Sequence, residues 1–148
     1  MPRFTPLFAG LALFTAIAVV PAARAEDAAD QAYKEITQAF GGLPGFVQKF
    51  PRAGIAGAWA EVRDLELSDK TALPPKTKAL IALAVAAQIP CEYCIYADTL
   101  SARQAGASDE EIAEAVAMAA LTRHWSTVFH GLQIDLATFK KEIGGEGQ

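Results

Sequence analysis

The chain has 148 residues, with 13 Lys and Arg against 17 Asp and Glu, a formal net charge of −4. That length bounds one domain of ordinary size. The acidic balance, with no basic patch, argues against nucleic acid and anionic membrane surfaces as partners.

The first 25 residues read as a leader rather than as part of a fold. Arg3 gives a basic start, Leu7 to Val20 carries no charge, Pro21 breaks the run, and Ala23-Arg24-Ala25 has the small-x-small form of a cleavage site. The apolar run is shorter than the roughly 20 residues of a membrane span. A signal peptide over 1–25 is therefore expected, and a mature chain over 26–148. Removing Arg3 and Arg24 leaves 11 Lys and Arg against 17 Asp and Glu, a charge of −6. Export to the periplasm or beyond would place the chain where disulfides form and persist.

No stretch alternates as a strand does, and the pattern predicts an all-α domain of about six helices. Asp27 or Asp30 can cap a first helix that ends near Phe40, with Ala32, Ile36 and Phe40 on one face and Gly41-Gly42 as its stop. A second helical region covers about 53–67, with Trp59 and Val62 on one side and Glu61 and Asp64 on the other. Pro75 opens a third, over about 76–89, which is apolar nearly all round after Lys78. Such a helix must be covered on most sides, and a chain of this size implies a homo-oligomer. Pro90 ends it, and a fourth helix runs from Cys91 to about Gln104, closed by Gly106. Ser108-Asp109-Glu110-Glu111 is a capping box that opens a fifth helix along Ile112, Ala115, Val116 and Ala119. A sixth covers about 125–143, with His124-Trp125 at its junction with the fifth and Val128, Leu132, Leu136 and Phe139 as its stripe. The glycine-rich tail beyond it is expected to be disordered.

Cys91 and Cys94 are the only cysteines, in the string Cys91-Glu92-Tyr93-Cys94. At this spacing a thiol pair can pass electrons, supply half of a metal site, or brace a turn. A thiol of pKa about 8.5 is only ~3% ionised at pH 7. The unpaired N–H groups and positive dipole end of a helix N-terminus favour the thiolate. Lowering the pKa to about 6.5 would make roughly three quarters of it thiolate. Residues three and four apart share a helix face, so Cys91, Cys94 and Asp98 line one side. A thiolate that attacks a hydroperoxide becomes a sulfenic acid, which a second thiol converts to a disulfide. Attacking thiol, resolving thiol and proton donor are all available here. For a metal site the natural completion is His124 and His130. Six residues apart on a helix, they point about 240° apart and do not converge unless the helix breaks between them.

From Leu73 to about Asp135 the chain resembles the carboxymuconolactone decarboxylase superfamily, in its alkyl hydroperoxidase D-like branch. The resemblance is carried by Leu73-Pro74-Pro75-Lys76, by Ala79-Leu80-Ile81-Ala82-Leu83-Ala84-Val85, and by the Cys91–Cys94 string. Ala102-Arg103-Gln104-Ala105-Gly106-Ala107 and Glu110-Glu111-Ile112-Ala113-Glu114-Ala115 complete it. It implies a helical fold, assembly into trimers or hexamers, and reduction of peroxides with Cys94 attacking and Cys91 resolving. No bound cofactor is implied, and turnover would need an outside dithiol reductant. The peroxidase members carry a glutamate twelve residues before the first cysteine, where this chain has Ala79. They often carry a histidine where it has Tyr93, and another where it has Asp98.

Asp98 is thus the candidate relay. Ionised, it would raise the thiol pKa by repulsion; partly buried and protonated, it could serve as the acid for the leaving group. Glu92, His124 and His130 are further candidates for a base. Two other functions stay open: thiol–disulfide exchange with partner proteins, and a non-catalytic module braced by a disulfide. Lactone decarboxylation has no use for a CxxC pair and ranks below both.

Overall fold

The computed structural model describes residues 22–144 and is helical throughout, with no strand among the described residues. Most of the expected leader, and the tail beyond Gly144, lie outside the described residues. No described helix is long and apolar enough to cross a membrane. The contacts group the chain into two compact units, up to Trp59 and from Ala60 onward.

In the first unit, α1 spans Ala22–Phe40, α2 Gly45–Lys49, and α3 Arg52–Glu61, the last running on into the second unit. Helix α1 starts earlier than expected, so Asp27 and Asp30 lie inside it and neither caps it. The alanine-rich stretch before Glu26 is a good helix former and carries no breaker. Asp30 instead pairs with Arg52 at 2.7 Å. Ala29, Ala32 and Ile36 form the buried face of α1. Trp59 is buried as well, and its indole N–H donates to Glu35 Oε2 at 2.7 Å. Phe40 lies against the Trp59 ring, 6.4 Å between centroids. Gly41, at φ 72°, provides the left-handed stop that a side chain would oppose. The short α2 was not anticipated; it begins directly after Pro44 and buries Val47.

The second unit opens with a π-helical turn over Val62–Glu66, closed by Leu67 N–H donating to Val62 O at 2.9 Å. Helix α4 follows over Pro75–Gln88, then α5 over Glu92–Gln104, α6 over Asp109–Gly131 and α7 over Leu136–Glu142. Helix α4 is the hub: it packs against the π turn, α5 and α6. It buries Ala79, Leu83 and Ala86 on one side. Ile81, Val85 and Ile89, spaced four apart on another, are 50–65% exposed. Lys78 Nζ donates to the carbonyls of Leu65 and Ser68 at 2.5 and 2.6 Å, fastening the π turn to α4.

The capping box at α6 forms as expected. Glu111 N–H donates to Ser108 Oγ at 3.1 Å, and Ser108 N–H donates to Glu111 Oε2 at 2.8 Å. The expected fifth and sixth helices are corrected in one respect: they form a single α6 through His124-Trp125. No glycine or proline interrupts residues 109–130, so nothing stops the ladder there. The break falls at Gly131, where Gln133 takes φ 53° and Asp135 then caps α7 through Thr138 N–H at 2.8 Å. Phe139 of α7 packs on Phe129 of α6, 4.9 Å between centroids, whereas Leu132 and Leu136 stay exposed.

Candidate functional site

Pro90 separates α4 from α5, and Cys91 is the N-cap of α5 rather than its first helical residue. Its backbone is extended, which is the capping conformation. Cys94 stands three positions on, inside the first turn. The two sulfurs are joined in a disulfide with Cα atoms 5.3 Å apart. Cys91 Sγ accepts a hydrogen bond from Cys94 N–H at 3.2 Å. One of the helix's four unpartnered N–H groups thus points at sulfur, and negative charge on that sulfur is favoured there. Cys91 is half-buried and Cys94 exposed, between the exposed Tyr93 and Tyr96.

Asp98 follows Cys94 by one turn on the same face of α5. It is half-buried and makes no hydrogen bond or ion pair among the described residues. Its burial raises the carboxyl pKa above the ordinary value. The fold therefore favours the protonated acid, the form that can donate to a leaving group.

A second carboxyl, not anticipated from the sequence, also has a raised pKa. Glu66, at the end of the π turn, has its pKa raised by partial burial and then by the charge of Asp98. It stands 28 positions before Cys94, and no spacing rule links the two.

The other candidates are placed apart from this chemistry. His124 and His130 both lie on α6. The His124 ring meets Trp125 edge-on at 5.3 Å, and His130 Nδ1–H donates to Ser126 O at 2.8 Å. Among the described residues no three His, Cys, Asp or Glu side chains converge as a metal site would need. Glu92 is exposed in the first turn of α5. Arg103 pairs with Asp109 at 3.0 Å, and Arg123 donates to Gln88 at 2.8 Å, so neither reaches Asp98. Ala79 is buried on α4 and supplies no acid.

Among the described residues the fold is all-helical, with a disulfide across the first turn of a helix fed by a short loop from a hub helix. The chain belongs to the carboxymuconolactone decarboxylase family, whose model matches residues 53–135. It has the fold of the alkylhydroperoxidase AhpD core of Rhodospirillum rubrum. The TM-score is 0.64 at 21% identity, over 82% of this chain and 93% of that one. It is also similar to an uncharacterised protein 4 in the cox locus of Paracoccus denitrificans, 42% identical over 59 residues. That stretch is 40% of this chain, and the match spans about half of the relative's length.

Proposed function

We propose that this chain is a thiol-dependent peroxidase, reducing hydrogen peroxide or a small organic hydroperoxide through Cys94 and Cys91. The observation that carries the reading is the disulfide across the first turn of α5, with an unpaired, half-buried Asp98 one turn on. The alkylhydroperoxidase fold supports it.

In the reduced protein the exposed Cys94 thiolate attacks one peroxide oxygen. The S–O bond forms, the O–O bond breaks, and the departing oxygen takes a proton to leave as an alcohol or water. Cys91 then attacks the Cys94 sulfur; the S–S bond forms and hydroxide leaves. An outside dithiol restores both thiols and is itself oxidised. The exposed Cys94 sulfur is where that donor attacks. Cys91 departs as a thiolate that the α5 N-terminus and Cys94 N–H stabilise, and a better leaving thiolate speeds exchange. The same exposure, flanked by Tyr93 and Tyr96, favours thiol–disulfide exchange with a protein partner as the second reading.

Asp98 assists proton transfer in this scheme. Export, cleavage after Ala25, and assembly through the exposed Ile81, Val85 and Ile89 of α4 are parts of the same proposal. The deciding experiment mixes fully reduced protein with cumene hydroperoxide and follows thiol loss by stopped flow. Thiol loss that vanishes in Cys94→Ser, with a trapped sulfenic acid in Cys91→Ser, supports the roles assigned. Loss no faster than that of free cysteine rejects the peroxidase, and the reduction potential then separates exchange from a structural brace.

A further inference from the structure

Helix α4 is fastened to α6 by polar side chains at both of its ends. At its start Lys76 holds Glu111 at 2.8 Å. At its end Gln88, the last residue of α4, makes two bonds. Its Nε2–H donates to Ala119 O at 2.7 Å, and its Oε1 accepts from Arg123 Nε at 2.8 Å. Both partners belong to α6 and stand four residues apart, so they share one face of that helix. A glutamine amide offers a donor and an acceptor, and the half-buried Gln88 spends both on the same neighbour.

Cys91 follows Gln88 by three residues. The stretch between them is tied back onto α4: Ile89 N–H donates to Val85 O at 3.1 Å, and Cys91 N–H donates to Ala86 O at 3.2 Å. On its other side, Cys91 O accepts from Ile95 N–H of α5 at 2.9 Å. An N-cap residue is only half inside its helix. The outer half of Cys91 is therefore fixed by the last turn of α4, and Gln88 holds that turn to α6. With the disulfide closed, the two cysteine Cα atoms are 5.3 Å apart. In the reduced protein no bond joins the sulfurs, and the approach of Cys91 to Cys94 depends on both halves of the cap. Groups held at reacting distance join faster, and more favourably, than groups that must first be brought together.

We propose that Gln88 is a positioning residue of the redox pair: by fastening the end of α4 to Ala119 and Arg123, it holds Cys91 ready to close the disulfide. This rests on the pair being redox-active, which the peroxidase and exchange readings share. The step served is attack of Cys91 on the Cys94 sulfur. After peroxide, Cys94 is a sulfenic acid. The Cys91 thiol releases its proton to solvent, its sulfur attacks, the S–S bond forms, and the departing hydroxide takes up a proton to leave as water. After exchange, Cys94 carries a mixed disulfide, and the same attack expels the other thiolate. Gln88 makes and breaks no covalent bond; it acts through the Ile89–Cys91 stretch.

The test mixes reduced protein with the aromatic disulfide dithiobisnitrobenzoate and needs no peroxide. Attack by the exposed Cys94 releases one coloured thiolate, and closure by Cys91 releases the second; Cys91→Ser should stop at the first. Wild type is compared with Gln88→Met, which keeps the length of the side chain without either bond, and with Arg123→Met, which leaves the bond to Ala119 O. In Gln88→Met the second phase should slow about fivefold, with the first phase changed less than about twofold. Equilibrium with glutathione should shift by the same factor, a reduction potential about 20 mV higher. Arg123→Met should slow the second phase by less. A contact that only stabilises the fold acts on oxidised and reduced protein alike and moves neither readout. A second phase and potential unchanged in Gln88→Met overturn the proposal, and so does equal slowing of both phases. Should Gln88→Met not fold, Arg123→Met decides alone, and an unchanged second phase there overturns it. If wild type consumes no peroxide, the peroxidase reading falls and the closing phase still judges Gln88. A wild type that releases only one thiolate overturns the redox pair and the role of Gln88 together.

Discussion

Helices α5 and α6 use carboxyls in opposite ways. At the start of α6, Glu111 accepts from Lys76 Nζ at 2.8 Å and from Ser108 N–H at 2.8 Å. The Lys76 bond first, then the Ser108 N–H, lower its pKa below the ordinary range. In the middle of α5, Asp98 is half-buried without a partner among the described residues, and its pKa is raised. Both acids lie on a helix that packs on α4. What separates them is supply: Glu111 has two donors, and Asp98 has none among the described residues. A carboxyl saturated with donors is fixed in charge and serves as a fastening. One left without donors holds its proton more tightly than an ordinary carboxyl, which is what the proposed peroxidase would require of Asp98.

The sharpest way to break this contrast is to remove each acid in turn. Asp98→Asn keeps the shape and removes the exchangeable proton; peroxide-driven thiol loss should fall on the order of 10²-fold, the scale of general acid catalysis. Glu111→Gln should leave that rate unchanged at a temperature where the protein is folded. Stopped-flow traces on both reduced variants decide the matter. Equal losses would mean that Asp98 acts through stability alone.

A smaller effect is expected at the fastening itself. Ser108→Ala removes the acceptor for Glu111 N–H and should cost about 1 kcal/mol of stability, as loss of an N-cap does. Urea denaturation reads that loss directly. The rate with peroxide at low temperature should be that of wild type, because α5 is fixed by its packing on α4 and not by this cap.

This contrast was only half legible in the sequence. The capping box announces itself, since Ser108 and Glu111 are three apart and act on each other's backbone. Pro75, Pro90 and Gly106 bracket α4 and α5 because breakers act locally, and the Cys91, Cys94 and Asp98 face follows from helical spacing alone. Three features escaped. Helix α2 spans only five residues, too few to show a period. The continuity of α6 depends on the absence of a breaker at His124-Trp125, whereas aromatic residues there suggest a junction. The π turn over Val62–Glu66 is the third: the pattern reads as one helix to about Leu67, and nothing in the spacing marks a turn of different width.

The finest test of the comparison is the pH dependence of stability, where the two kinds of acid should have opposite signs. Glu111 and Asp135 have lowered pKa values in the fold, Asp135 through Thr138 N–H first and then its hydroxyl. The unfolded chain binds their protons more readily, so their contribution is present above the ordinary carboxyl range and is lost as pH falls through the lowered values. Asp98 and Glu66 are raised, the first by burial and the second by burial and then Asp98. Here the folded chain binds the protons more readily. Their contribution is full below the ordinary carboxyl range and is lost as pH climbs through the raised values. Asp98→Asn should therefore melt close to wild type at pH about 3 and gain on it as the pH rises from about 4 toward neutrality. Glu111→Gln should do the reverse, falling behind wild type over the same climb. Thermal midpoints of the oxidised proteins across that range would show the two curves diverging, and parallel curves would mean that Asp98 is an ordinary solvated acid.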